Sequence, residues 1–268
     1  MAIIDIIMSA YNEEKCIERA LLSIIGQEFT EWKLLVCDDF SEDRTLDILK
    51  EYEKKYPTKI IVFHNEKNMG LTYSLNRLIS ESTAPYIARM DADDICNSRR
   101  LQVEKEFLAN HKEFAMVGCN INKFDEQGIF ATFKYPEVPQ KKDLLWNSPF
   151  AHPTIMIKSE VLKELNGYKE IKRTIRCEDY DMWFRLYAAG YRGYNIQESL
   201  LDYCENRNSY GKRKFRYRIA EAATRLNGYR INHLMPIGAI FILKPILVGL
   251  IPNSLLIQIR KYKNDGKT

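Results

Sequence analysis

Apolar positions in the first third of the chain fall into two alternating patterns. Ile3–Met8 is a short, nearly continuous apolar run bounded by the turn-forming Ser9-Ala10-Tyr11-Asn12, which predicts a buried parallel strand. From Glu14 to Gln27, Ile17, Ala20, Leu21, Ile24 and Ile25 recur at helical spacing, the apolar face of an amphipathic helix. The alternation continues with strands predicted at Trp32–Cys37, Lys59–Phe63 and Pro85–Met90 and helices at Thr45–Tyr56 and Leu71–Ser80. Strands alternating with helices in this way build a mostly parallel sheet with helices on both faces. Such sheets bind ligands at the carboxyl ends of their strands. The polar clusters Ser9–Glu14, Asp38–Asp43 and Asp91–Asp94 each follow a predicted strand, so they are expected to converge on one crevice.

The pattern is more mixed afterwards. Arg99–Asn110 reads as a helix, and Ala115–Phe124 and Gly128–Tyr135 read as strands joined by a turn at Asp125–Gly128. Asp179–Ala189 predicts an amphipathic helix with Met182, Trp183, Leu186 and Tyr187 inward, ended by Gly190. Leu234–Ile259 is apolar but interrupted by Pro236, Lys244, Pro245 and Pro252. A spanning helix needs about 20 clean apolar residues. The stretch reads instead as an interfacial helix pair, held against anionic lipid by Arg260, Lys261 and Lys263. The alternative is a helix packed on the domain or on a second copy of the chain, which would make a homo-oligomer.

Composition narrows the class. A chain of 268 residues that is 46% apolar can bury a sizeable core, as one large α/β domain plus a small appendage. A net charge of +4 is too mild to point to nucleic acid. None of Cys16, Cys37, Cys96, Cys119, Cys177 and Cys204 forms a C-x-x-C pair, which predicts reduced thiols. The amino-terminal MAIIDIIMSAYNEE has neither the basic region nor the cleavage site of a secretory signal, so a cytoplasmic location is expected.

The sharpest chemical signal is Asp91-Ala92-Asp93-Asp94 after a buried strand. Carboxylates this close repel and raise one another's pKa. A divalent cation offsets that cost, and a solvated acidic turn is the bland alternative. Asp38 and Asp39 end the second strand, where a carboxylate can accept from a ribose hydroxyl or a base N–H. Asp43 suits a cap for the Thr45 helix. Tyr11 could lie on a nucleobase or simply pack. Glu178 and Asp179 open a helix whose dipole favours their charge, as a general base requires. His152, before Pro153-Thr154, is either structural or a ligand contact.

Taken together, these segments resemble the family 2 glycosyltransferases of the GT-A fold, the group that builds bacterial capsule, O-antigen and teichoic-acid glycans. Ser9-Ala10-Tyr11-Asn12-Glu13 resembles the opening nucleotide-binding turn, and Asp38–Asp43 the second-strand Asp-Asp-Gly-Ser-x-Asp motif. Asn68-Met69-Gly70-Leu71 with Asn76 resembles the Asn-x-Gly-Leu segment, and Met90–Ile95 with Arg100 the Asp-x-Asp-Asp-Ile block. His152-Pro153-Thr154, Gly167-Tyr168 and Glu178–Leu186 resemble the acceptor-side motifs. The resemblance spans residues 3 to about 205. It implies a Rossmann-like GT-A domain over 1–215 followed by a helical, membrane-associating or oligomerising segment over 216–268.

The resemblance further implies inverting transfer of one sugar from a UDP-sugar donor to a glycan acceptor, and the basic, amphipathic carboxyl-terminal segment fits an acceptor lipid-linked through a polyprenyl diphosphate at the inner face of the membrane. Ser9, Tyr11, Glu13, Asp38, Asp39, Asn68, Gly70, Asn76, Asp91, Ala92 and His152 would bind the nucleotide sugar. Asp93 would hold Mn²⁺ or Mg²⁺. Asp179 would be the base, supported by Glu178. Three departures stand out: Phe40 replaces the usual glycine, Leu75 stands where arginine is common, and Cys204 follows Tyr203 where arginine is common. Arg207 or Arg213 could substitute for that last arginine. No Gln-x-x-Arg-Trp signature of processive synthases is present, which implies single-sugar addition. A nucleotidyl or phosphoryl transferase would need a Gly-rich phosphate loop, which is absent. A catalytically dead binding module is the remaining alternative, and the intact carboxylates speak against it.

Overall fold

Side-chain alternation along the first strand, β1 (Ile4–Ala10), sets the layers. Ile4, Ile6 and Met8 point into one core with Ile17, Leu21 and Ile24 of α1 (Ile17–Ile25), while Ile7 points into a second core with Leu75 and Leu78 of α3 (Leu71–Glu81). Asp5 is buried, and its Oδ2 accepts from the Ser82 hydroxyl and the Thr83 and Ala84 amides, closing the loop that follows α3. The computed structural model describes residues 2–205 and 214–251.

The predicted amino-terminal half appears nearly as read. β1 pairs in parallel with β2 (Trp32–Asp38) and β4 (Tyr86–Arg89), and β2 with β3 (Ile60–His64). α2 (Thr45–Lys55) and α3 are the connecting helices. Beyond β4 the sheet runs on through β5 (Ile95–Cys96), β6 (Met116–Asp125), β7 (Gly128–Phe133), β8 (Met156–Lys158) and β9 (Gly193–Cys204). Its order is β3-β2-β1-β4-β8-β6-β9-β5, with β7 on β6. β4–β8, β8–β6, β6–β7 and β9–β5 are antiparallel, and β6–β9 is parallel.

The segments β8 and β9 were not evident in the hydropathy pattern. β8 is three residues long. β9 shifts register against β6 on both sides of Asn120, which breaks its period-two alternation. Two further helices, α4 (Arg100–Asn110) and α5 (Ser159–Glu164), cover the sheet. α6 (Glu178–Ala188) ends as expected: Gly190 has φ +87°, and Tyr191 N–H reaches back to Leu186 O.

The segment expected as an appendage opens with α7 (Phe215–Ile231), and this helix enters the second core. Tyr229 is fully buried, and Gly228 lies so close to the Phe184 ring that a Cβ there would stand 2.2 Å from it. Two short helices follow, α8 (Ala239–Ile242) and α9 (Lys244–Leu250). Lys244 does not point outward: its Nζ donates to Trp146 O at 2.6 Å and lies 3.7 Å above the Trp146 ring. Among the described residues, no helix is long and apolar enough to cross a membrane. Arg260, Lys261 and Lys263 lie outside the described residues, as do Arg207 and Arg213.

Candidate active site

The ends of β1 and β2 are adjacent, with Ala10 opposite Asp38. Their loops are laced together: Asp39 N–H donates to Ala10 O, Asn12 N–H to the Ser41 hydroxyl, Glu13 N–H to the Thr45 hydroxyl and Glu14 N–H to Asp43 Oδ2. Asp43, expected as the cap of the Thr45 helix, accepts from the Thr45 amide and hydroxyl, while Arg44 occupies the N-cap position of α2. Tyr11 is exposed on this ridge and Ser9 lies below it, opposite Cys37.

Asp39 is buried and organises the next loop. Its Oδ1 accepts from Asn65 Nδ2 at 2.7 Å and Met69 N–H at 2.8 Å, and its Oδ2 from Gly70 N–H at 2.7 Å. Hydrogen bonds to a charged group contribute roughly 1.5–3 kcal/mol each, enough together to fix the segment Asn68–Gly70. Gly70 has φ +87° and opens α3. Asp38 Oδ2 accepts from Ser41 N–H and contacts His64 Nδ1 at 3.0 Å, while its buried Oδ1 has no partner.

At the end of β4, single ligand oxygens of Asp91, Asp93 and Asp94 lie within 4.8 Å of one another. Asp94 is fully buried. Its Oδ1 accepts from Cys204 N–H at 2.8 Å and its Oδ2 has no partner. Arg19 of α1 donates to the Asp93 carbonyl at 2.9 Å, and Ala92 is buried between the acids. Burial and the neighbouring Asp91 push Asp93 up to about 6, and burial with Asp91 and Asp93 pushes Asp94 well above the carboxylate range. Glu13 reaches about 7 through burial and the charges of Asp93 and Asp91, so the first loop belongs to the same acidic bowl. Hard oxygen donors, an orphaned buried carboxylate oxygen and mutual repulsion fit a divalent cation.

Across the site, Glu178 and Asp179 open α6. Burial and the adjacent Asp179 raise Glu178 to about 7. His152 Nε2 and the Tyr168 hydroxyl are 2.7 Å apart, and the ring is edge-on to Tyr168 and Trp183. Burial and the Arg89 charge hold His152 well below its usual range, so the imidazole is neutral. Asn76 stands behind this group. Its Nδ2 donates to Tyr168 O and Glu170 Oε1, and its Oδ1 accepts from Tyr168 N–H. Gly167 is required there, since its φ is +55° and a Cβ would meet Asn76 Oδ1 at 2.5 Å.

A cleft of about 740 Å³ joins the two halves, with Asp91, Asp93, His152, Glu178 and Asp179 all in its walls. Ser9, Tyr11, Asp38, Asp39, Asn68 and Gly70 lie on the strand-end ridge outside those walls, and Asn76 connects to the cleft through Tyr168 and then His152. Leu75 is core, packed with Ile7 and Leu35. The sequence reading missed Arg89, a buried guanidinium in the cleft wall that is ion-paired to Asp91 and has Nε and Nη1 unpartnered. A lone arginine closing the apolar strand Tyr86-Ile87-Ala88 was the available signal. Arg176 in the same wall was also missed. It adopts φ +63° just before α6.

The chain is 35% identical over 260 residues to EpsE of Bacillus subtilis, named as a glycosyltransferase, covering 97% of this chain and 94% of that one. It is 25% identical over 262 residues to an Escherichia coli UDP-Gal:α-D-GlcNAc-diphosphoundecaprenol β-1,3-galactosyltransferase, covering 93% and 92%. Among solved structures, Staphylococcus aureus TarS 1–349 in complex with UDP-GlcNAc matches with TM-score 0.66 at 20% identity, over 87% of this chain and 70% of that one. The mannosyltransferase PcManGT of Pyrobaculum calidifontis, in complex with GDP-Man and Mn²⁺, matches with TM-score 0.63 at 18% identity, over 97% and 79%. The fold is thus the GT-A arrangement. The model of glycosyl transferase family 2 matches residues 5–165, taking in the laced loops, the acidic bowl and His152, and the chain belongs to that family.

Proposed function

We propose that the chain moves one sugar from a UDP-sugar to a hydroxyl of a lipid-linked glycan, with inversion, in cell-surface polysaccharide synthesis. The carrying observation is the placement of Asp91 and Asp93, backed by the buried Asp94, and of the Glu178–Asp179 pair in the walls of one cleft. Asp93, with Asp91 and Asp94, would hold Mn²⁺ or Mg²⁺. When bound, that ion offsets the charge of the donor diphosphate and of the departing UDP. The Mn²⁺ in the PcManGT complex and the UDP-GlcNAc in the TarS complex support this donor side.

The remaining steps belong to side chains. Asp179 takes the proton from the acceptor hydroxyl as its oxygen attacks the anomeric carbon from the face opposite the leaving group. Glu178, raised to about 7, shares the negative charge at the start of α6. Neutral His152 is oriented by Tyr168 to hydrogen-bond the diphosphate or the acceptor. Tyr11 and the Asp38–Asp39 corner receive the uridine, with Ser9, Asn68 and Gly70 shaping that corner.

The acceptor reading rests on the diphosphoundecaprenol-linked substrate in the name of the Escherichia coli relative and on the apolar carboxyl-terminal surface. It places the enzyme at the inner face of the membrane. Asp179→Asn should lower turnover about 10²- to 10⁴-fold with UDP–Mn²⁺ affinity retained. Near-normal turnover would remove Asp179 from the role. Asp93→Ala should lose metal-dependent UDP binding in calorimetric titration. Unchanged metal dependence would move the site to Asp91 or Asp94.

A further inference from the structure

Phe40 has a backbone conformation that glycine favours. Its φ is +66°, where a bulky side chain is an outlier because its Cβ crowds the backbone carbonyl. Burial does not offset that strain, since the side chain is 42% exposed. Glycine would remove it at no steric cost, yet phenylalanine stands there. Backbone strain held at the rim of a ligand site points to a use for the side chain.

The surroundings indicate the use. The Phe40 ring stacks on His64, with centroids 6.1 Å apart and planes at 29°. His64 is in turn fixed by Asp38 Oδ2 at 3.0 Å. The loop of Phe40 is tied to the loop of Tyr11 on both sides: Asp39 N–H donates to Ala10 O, and Asn12 N–H to the Ser41 hydroxyl. Two exposed aromatic rings, Tyr11 and Phe40, therefore stand on loops that are hydrogen-bonded to each other just past the paired strand ends Ala10 and Asp38.

The geometry points to Phe40 as a stacking residue for the nucleobase of the donor, with His64 as its backing. This rests on the nucleotide-sugar reading above. Stacking is indifferent to base identity because every base has a π-face, so Phe40 serves uracil and guanine alike.

The test uses the full chain with Mn²⁺ and three probes, UDP, GDP and inorganic pyrophosphate, titrated calorimetrically on wild type, Phe40→Gly, Phe40→Asn and Phe40→Tyr. Glycine and asparagine both tolerate positive φ, so either variant folds on the same backbone. Phe40→Gly is expected to melt at or above the wild-type temperature while binding the preferred nucleotide about 5- to 150-fold more weakly, the range of one base stack. Pyrophosphate affinity should not change, and Phe40→Tyr should bind as wild type does. Nucleotide affinity within two-fold of wild type in both the glycine and asparagine variants would overturn the proposal, as would equal losses of nucleotide and pyrophosphate. Wild type that binds pyrophosphate but neither nucleotide would overturn the donor reading and this inference with it.

Discussion

Glu13, Asp91, Asp93 and Asp94 bring carboxylates from two loops into one bowl, and among the described residues Arg89 and Arg19 are the cations that act on Asp93. Glu13 rises to about 7 and Asp93 to about 6, both above the ordinary carboxylate range. A carboxyl raised in the fold stabilises it most when protonated. That contribution is complete below about pH 4 and is lost as pH climbs through 6 and 7. Cation binding needs the same oxygens deprotonated, so it gains strength over the same interval. The rise in melting temperature caused by Mn²⁺ should therefore be slight near pH 5 and reach several degrees near pH 7.5. Equal shifts at both pH values would place the ion elsewhere. The bowl was legible because three acids directly following an apolar strand are too costly to leave without a partner. Arg89 was not, because its significance comes from Asp91 and His152, which only folding brings around it.

At the level of elements, the strand–helix alternation of the amino-terminal half was readable because each unit is long and periodic. β9 was not, although the site depends on it: the Cys204 amide at its end holds Asp94. Its register shifts opposite Asn120 destroy the alternation that would have announced a strand. α7 shows the opposite limit. Its inward face is short and includes Arg225, whose guanidinium is buried by hydrogen bonds to Leu145 O, Trp146 O and Glu221, so polarity disguised a core helix. Beyond it, Ile237, Ile240, Leu243, Leu247 and Leu250 are all more than half exposed. Such a patch suits an interface. Gly249 of α9 packs on Phe215 and Arg218 of α7, and Arg218 is itself largely buried and ion-paired to Glu221, so the exposed face is apolar; the proposed membrane contact is tested by truncation. Deleting residues 234–268 should abolish flotation with vesicles containing anionic lipid. Unchanged flotation would assign the patch to another partner.

The whole molecule places chemistry where a parallel sheet allows it, at strand ends. In the proposed function, loops after β1, β2 and β4 form the donor side, and α6 with the segment around His152 forms the acceptor side across the cleft. The order of motifs carried this arrangement in the sequence. What it did not carry was the chain of support from Asn76 through Tyr168 to His152, because hydrogen bonds between distant segments leave no periodic trace. The most direct measurement is UDP release by the purified chain with Mn²⁺ across UDP-glucose, UDP-galactose, UDP-GlcNAc, UDP-GalNAc and UDP-glucuronate, with and without EDTA and with lipid-diphosphate-linked glycan acceptors. Release from one donor, stimulated by acceptor and abolished by EDTA, is the expected result. Release that persists unchanged in EDTA, or none from any donor under all these conditions, would contradict a metal-dependent transferase acting on a UDP-sugar.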